Sequence, residues 1–157
     1  MEALAREAGV AEGALYARFA DKEAAIAVVV DELLVELQAA FERGMAGGGS
    51  AAERIGAALA GKYAIVARAL EGSPHADEIF DAHRRYAARF AALERRVEAQ
   101  IAAELAKAGA SDPATLARLV IGAASGVARS FSLSGAEAID GAIRLVCRRI
   151  IEPAARG

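Results

Sequence analysis

The chain has 157 residues, of which 55% are apolar and 25% are charged, and its formal charge is −2. These values predict one compact domain, or a small domain beside a larger one, and they exclude a disordered chain. A single cysteine excludes an intramolecular disulfide and a cysteine-rich metal site, and the overall charge does not indicate nucleic-acid binding. Because the longest apolar run, residues 24–30, is far shorter than the roughly 20 residues of a membrane helix, we expect a cytoplasmic protein with no membrane contact.

The first 20 residues have the spacing of a helix-turn-helix. That motif needs a small residue where its helices touch and a glycine where the turn passes through a left-handed backbone conformation. Ala5 supplies the small residue and Gly9 the turn. The apolar anchors of the second helix would be Leu4, Ala8, Val10 and Leu15. A plain alanine-rich helical hairpin is the simpler alternative, which the joint spacing disfavours.

The residues that follow the turn make the motif more specific. They are Ala8-Gly9-Val10, Gly13-Ala14-Leu15-Tyr16, Phe19 and Asp21-Lys22-Glu23. From Leu4 to Ile26 this pattern resembles the N-terminal signature of the TetR family of bacterial transcriptional regulators. The remainder resembles that family only in layout, with a connecting helix followed by a helical region for ligand binding and dimerisation.

The resemblance implies a DNA-reading role for the segment from Val10 to Phe19, whose helix would enter the major groove. Tyr16 would hydrogen-bond a DNA phosphate, and Lys22 would meet a phosphate near the start of the connecting helix. Phe19 would pack the small domain together. The candidate DNA-binding residues are Glu12, Gly13, Tyr16, Ala17, Arg18 and Lys22.

Four features depart from the family pattern. Ala11 stands where an N-cap oxygen is usual, and the Glu12 carboxylate would face phosphate. Residues 1–26 hold three basic and five acidic side chains, a net charge of −2. Family members also carry a further helix before the position of Met1, so we expect the DNA-binding domain to be incomplete in this chain.

Helical periodicity continues beyond the motif. Apolar residues from Ile26 to Phe41 recur in steps of three and four, which predicts the connecting helix. The glycine-rich stretch 44–50 is the best internal boundary, so we expect a DNA-binding domain with its connecting helix over 1–44 and a second helical domain over 51–157. This second domain would contain a helix stopping at Gly72, one from Ser73-Pro74 to Lys107, one from Asp112-Pro113, and one opened by a capping box at Ser134 and Glu137. The fold class is all-α and TetR-like.

The second domain would bind an effector and form a homodimer. By analogy with the family, a small and mainly apolar effector would contact Tyr63, Val66, Phe80, His83, Tyr86 and Phe90, although the same residues would also suit an ordinary core. The dimer interface would contain Leu119, Gly122, Ala123, Gly126, Ile143, Val146 and Ile150.

Other patterns carry less weight. Residues 56–63 nearly match a phosphate-binding loop, but Tyr63 replaces the hydroxyl residue and no strand precedes them. His75 and His83 with nearby carboxylates are too generic to predict a metal site, and no nucleophile–base pair or cofactor loop supports an enzyme. We therefore expect no cofactor, double-stranded operator DNA as the partner, and a repressor that responds to its ligand. The alternative is a dimeric small-molecule-binding module that has lost DNA binding.

Overall fold

A computed structural model describes Gly9 and residues 12–70, 76–130 and 135–154, and the regular structure in these ranges is entirely helical. The helices, numbered here in chain order, are α1 (Glu12–Arg18), α2 (Lys22–Met45), α3 (Ala51–Leu70), α4 (Ala76–Arg85), α5 (Ala87–Lys107), α6 (Pro113–Ser130) and α7 (Gly135–Ala154). The chain divides into two compact units, Met1–Val35 and Glu36–Gly157, and the division falls within α2. The predicted all-α class is confirmed in the described residues.

Aspartate side chains cap the starts of two helices, α2 and α6. The Ala24 N–H donates to Asp21 Oδ1 at 2.7 Å before α2, and the Thr115 N–H donates to Asp112 Oδ1 at 3.1 Å at the start of α6. Such caps satisfy backbone donors that have no partner inside the helix. The residue pair Asp112-Pro113 therefore opens a helix, as predicted.

The capping box at the start of α3 was not anticipated from the sequence. The Ser50 N–H donates to Glu53 Oε2 at 2.7 Å, and the Glu53 N–H donates to Ser50 Oγ at 3.2 Å. This reciprocal pair explains why the glycine-rich connection ends at Ser50. The serine and the glutamate three residues later were the available signal, which the preceding glycines obscured.

A glycine ends α5. Gly109 has φ +87°, the Gly109 N–H donates to the Ala106 carbonyl, and the Ala110 N–H donates to the Leu105 carbonyl. This is a Schellman motif, which requires a left-handed residue just after the helix. The predicted stop at Lys107 and Gly109 is therefore confirmed.

The core of the second unit is built mainly from four-residue steps along its helices. The most extensive helix pair is α3 with α7, and α6 packs on both α5 and α7. The core-forming side chains include Ile55 and Leu59 of α3, Leu93, Val97, Ile101 and Leu105 of α5, Ala117, Val120 and Ala124 of α6, and Ile139, Ile143, Cys147 and Ile151 of α7. Burial of these side chains provides the main stabilisation of the unit.

One sequence prediction about these helices needs correction. The helix predicted to run from Ser73-Pro74 to Lys107 is not continuous, because the backbone leaves helical geometry at Tyr86 (φ −100°, ψ 22°) and α5 starts at Ala87. In α7 the fully buried row runs through Ile143, Cys147 and Ile151, because four-residue steps keep to the face that packs on α3.

Segment 56–63 lies inside α3, so it does not form a phosphate-binding loop. Its Lys62 is almost completely buried, forms an ion pair with Glu94 of α5, and lies 5.0 Å from the centroid of the Tyr63 ring. A buried ammonium group needs such a partner, because burying an unpaired charge is unfavourable. Lys62 is therefore part of the interior packing of the second unit.

Candidate nucleic-acid interface

The turn of the predicted DNA-reading motif has the expected backbone. Gly9 has φ +65°, in the left-handed region that residues with a side chain rarely adopt. The helix that follows, α1, covers Glu12–Arg18 and lies within the predicted segment from Val10 to Phe19. Gly9 therefore has the left-handed backbone conformation that the predicted turn requires.

The N-terminal part of α1 leaves room for close backbone approach. Gly13 is exposed, and a Cβ placed on it would meet no atom within 4 Å. Nothing in the described structure would therefore hinder a phosphate group from approaching the backbone at this residue.

The cations predicted to bind phosphate are accessible. Arg18 in the last turn of α1 and Lys22 in the first turn of α2 are both exposed, as is Ala17. Asp21 lies between the two cations in sequence, and its Oδ1 accepts the Ala24 N–H. Exposed arginine and lysine side chains can neutralise phosphates and release counterions, which is the general source of DNA affinity.

Several residues of the motif lie outside the described residues or side chains. For Glu12, Leu15 and Tyr16 the structure describes the helical backbone but not the side chain. The predicted anchors Leu4, Ala8 and Val10 and the small contact residue Ala5 lie outside the described residues. So do Ala11, Gly72, the helix start Ser73-Pro74, His75 and the capping-box residue Ser134.

The predicted effector residues occupy different environments. Tyr63 is half-buried and its hydroxyl interacts with Ser125 of α6; burial raises the pKa of the Tyr63 hydroxyl, and the hydrogen bond with Ser125 opposes that rise. His83 is exposed instead of facing inward, and its ring lies 4.5 Å from the ring of half-buried Phe90.

Val66 and Tyr86 are half-buried, and the side chain of Phe80 is not described. None of the five predicted effector residues whose side chains are described lines the cavity of about 320 Å³ that lies beside the start of α3.

The predicted dimer residues divide into two groups. Leu119 is 59% exposed, and an additional residue that the sequence interpretation missed, Leu145, is 56% exposed. The others that retain accessible surface are Gly122, Ala123, Gly126, Val146 and Ile150. Ile143 was wrongly assigned to this surface: it is completely buried in its own chain, because it belongs to the α7 row that packs on α3.

A cluster of three arginines was also missed. Arg54, Arg144 and Arg148 line the cavity beside the start of α3. The four-residue spacing of Arg144 and Arg148 places them on one face of α7 and is visible in the sequence. Their proximity to Arg54, which is 90 residues away from Arg144 in the chain, depends on the packing of α7 against α3.

Comparison with known proteins supports the N-terminal assignment. Residues 1–27 match the family model described as bacterial regulatory proteins of the tetR family. The resemblance stated from Leu4 to Ile26 is therefore confirmed, and the segment is of the TetR type. Searches of curated proteins and of solved structures found no match to the chain.

The length and hydropathy of the helices also bear on membrane insertion. In the described part of the chain, no helix is both long enough and apolar enough to cross a lipid bilayer.

Proposed function

We propose that this chain, a regulator of the TetR type, is a homodimeric transcriptional repressor that binds double-stranded operator DNA and releases it when a small effector binds. The observation that carries the proposal is the family match over residues 1–27, which includes Tyr16, Arg18 and Lys22. The exposed positions of Arg18 and Lys22 support it. We assign DNA binding to 1–44 and effector binding with dimerisation to 51–157.

DNA contact would use α1 as the recognition helix. Gly13 allows close approach, Ala17 and Arg18 face a base edge or a phosphate, and Lys22 meets the phosphate backbone. The Glu12 carboxylate would repel a phosphate, whereas its interaction with the positive N-terminal end of the α1 dipole would be favourable. Two copies of the chain would contact two half-sites about 34–36 Å apart on the same face of the duplex.

Dimerisation would use the exposed apolar surface of α6 and α7. Leu119 and Leu145 are large apolar side chains left more than half exposed in the single chain. Small residues at Gly122 and Gly126 allow a partner helix to approach closely. A two-fold interface uses the same patch on both copies, so such a patch can cover itself.

Sedimentation velocity tests the dimer. Leu119→Asp would place a charge in the interface and shift the chain towards monomer, whereas Ala114→Asp in the exposed first turn of α6 would leave the dimer intact. A wild-type chain that is monomeric at all concentrations, or a dimer that Leu119→Asp leaves unchanged, contradicts this interface.

The effector would act by shifting a population. Tyr63, Val66, Tyr86 and Phe90 are half-buried and would supply apolar contact, and the hydroxyl groups of Tyr63 and Tyr86 would orient polar atoms of the ligand. A ligand that binds better to the form unable to bind DNA shifts the dimer towards that form. Changing from mostly bound to mostly free requires about 5.5 kcal/mol of differential affinity.

Fluorescence anisotropy tests DNA binding directly. Labelled duplexes from the DNA flanking the gene would be titrated with the chain at low and moderate salt, with unrelated duplex as competitor. Saturable binding to one duplex that resists the competitor and weakens with salt supports the proposal. A folded chain that binds no duplex at low salt contradicts it and favours the second candidate, a dimeric small-molecule-binding module, which the net charge of −2 over residues 1–26 also suits.

A further inference from the structure

The cavity beside the start of α3 has an unusual combination of walls. Its volume is about 320 Å³, and it lies between the glycine-rich connection 47–49, the first two turns of α3 and one face of α7. Gly44, in the last turn of α2, also lines it. Much of one wall is therefore glycine backbone without side chains, and a Cβ placed on Gly48 would meet no atom within 4 Å.

The charged groups that line this cavity are mostly cationic. Arg54, Arg144 and Arg148 contribute three positive charges, and Glu53 contributes one negative charge. The positive end of the α3 dipole lies beside the same space, since α3 begins at Ala51. The lining of this cavity is therefore locally cationic in a chain whose net charge is −2, although each of the three arginines also has a carboxylate partner.

Two of the arginines are held in place by carboxylates. Arg54 pairs with Glu104 and donates to the Gly49 carbonyl, and Arg144 forms two hydrogen bonds with Asp140, at 2.6 Å and 3.2 Å. Neither Glu104 nor Asp140 lines the cavity. The carboxylates therefore fix the guanidinium groups without themselves lining the cavity.

Arg148 is held less firmly. Its Nε lies 3.9 Å from Glu152 Oε1, which is beyond hydrogen-bond distance, and its side chain is 54% exposed. Glu152 is also not among the residues that line the cavity. A guanidinium group has five N–H donors in a planar fork that matches the oxygen atoms of a phosphate. Arg148 can therefore donate two hydrogen bonds to the same anion.

Glu53 limits the anion that the cavity can accept. Its carboxylate accepts the Ser50 N–H at 2.7 Å and is therefore engaged in the capping box. A compact anion carrying one phosphate would meet three arginines and one carboxylate. A larger polyanion would place further charge close to Glu53, which is unfavourable.

We propose that this cavity is a binding site for a small phosphate monoester, with Arg148 as the main anion-binding residue and Arg54 and Arg144 as supporting cations. The site is separate from the predicted apolar effector residues and does not depend on DNA binding. The ligand can therefore bind this chain even if the chain reads no DNA.

Isothermal titration calorimetry of the full chain tests the site with glycerol 3-phosphate as the probe. Glycerol serves as the uncharged control, malate tests whether carboxylates suffice, and sodium chloride keeps the ionic strength constant. We expect saturable binding of glycerol 3-phosphate at one site per chain, weaker binding of malate and none of glycerol. Absence of saturable binding, or tighter binding of malate, overturns the proposal.

Two matched variants locate the site. Arg148→Gln should weaken glycerol 3-phosphate binding about tenfold, because a charge-assisted hydrogen-bonded pair is lost. Arg149→Gln removes the same charge from the neighbouring exposed residue, which does not line the cavity, and should change the affinity less than about twofold. Equal weakening by both variants would indicate general charge attraction and contradict the site, as would an Arg148→Gln chain that binds normally. Circular dichroism of each variant verifies that both are folded.

Discussion

The two compact units of this chain, Met1–Val35 and Glu36–Gly157, differ in their family match and in their buried side chains. The family match ends at residue 27, inside the first unit. Among the described residues of the first unit, one apolar side chain, Val30, is buried. The second unit contains a row of buried side chains on each of its long helices. A segment that contacts DNA is constrained by specific side chains, whereas a helical core is constrained mainly by volume and polarity, which many sequences satisfy.

The same difference in burial is seen within α2, whose two parts belong to different units. Phe41, in the second unit, is completely buried, whereas Val35, at the end of the first unit, is 70% exposed. Phe41→Ala should lower the free energy of unfolding by about 3–5 kcal/mol, since it removes a buried ring and leaves a cavity. Urea denaturation followed by circular dichroism measures this loss.

Val35→Ala is the matched control on the same helix. It should change the free energy of unfolding by less than about 0.5 kcal/mol, because the side chain is already exposed. Equal losses for Phe41→Ala and Val35→Ala would show that the stabilising contacts of α2 do not separate at the boundary between the units.

A smaller effect is expected where α2 approaches α3. A Cβ on Gly44 would lie 2.3 Å from the Cα and the backbone nitrogen of Ala58, so the backbone would have to move. Gly44→Ala should therefore destabilise the chain by about 1–3 kcal/mol in the same denaturation experiment.

Gly141→Ala is the control for Gly44→Ala, because it changes helix propensity without a close contact. Gly141 lies within α7, and a Cβ there would meet no atom within 4 Å. This variant should gain about 0.5–1 kcal/mol, because alanine loses less backbone entropy than glycine in a helix. If Gly44→Ala were equally stabilising, the close contact of α2 with Ala58 would be refuted.

The ion pair of Arg54 with Glu104, which joins α3 to α5, predicts a dependence of stability on pH. The hydrogen bond from Arg54 holds the pKa of the Glu104 carboxyl below its ordinary value of 4.5, with burial opposing this shift. A carboxyl with a lowered pKa stabilises the folded state above its ordinary pKa, and this stabilisation is lost as the pH falls through the lowered value. Glu104→Gln should therefore lower the thermal unfolding midpoint at neutral pH, and the difference from wild type should shrink as the pH falls below 4.5.

Glu98→Gln gives the comparison for an exposed pair. Glu98 pairs with Arg118, whose side chain is 70% exposed, and exposed pairs contribute little. This variant should change the midpoint less than Glu104→Gln does at neutral pH. A Glu104→Gln difference that stays constant at low pH would rule out the ionised carboxylate as its cause.

Periodicity and caps made much of the helical layout predictable. The turn at Gly9, the helix start at Asp112 and the helix end at Gly109 each required a particular residue type, and the sequence shows that residue. The break at Tyr86 was missed because the apolar periodicity continues across it and no glycine or proline marks it. Single-residue departures from helical geometry depend on tertiary packing, which overrides local propensity.

The surface residues were harder to predict than the core. The sequence interpretation placed Ile143 on a dimer surface and His83 inside a pocket, and the structure shows Ile143 buried and His83 exposed. A helical stripe identifies the apolar face but not which edge of that face another helix covers. The clustering of Arg54 with Arg148 could not be predicted, because it requires knowing that α3 and α7 are neighbours.

The most direct test of the central claim is the salt dependence of DNA binding for Lys22→Gln beside Arg96→Gln. Lys22 follows α1, the proposed recognition helix, whereas Arg96 is an exposed cation on α5, so the two variants lose the same charge from different units. We expect Lys22→Gln to weaken binding to the duplex from the flanking DNA and to reduce the slope of log affinity against log salt by about 1, while Arg96→Gln changes neither. Equal effects of the two variants, or none from Lys22→Gln, would contradict a DNA-reading role for the first unit.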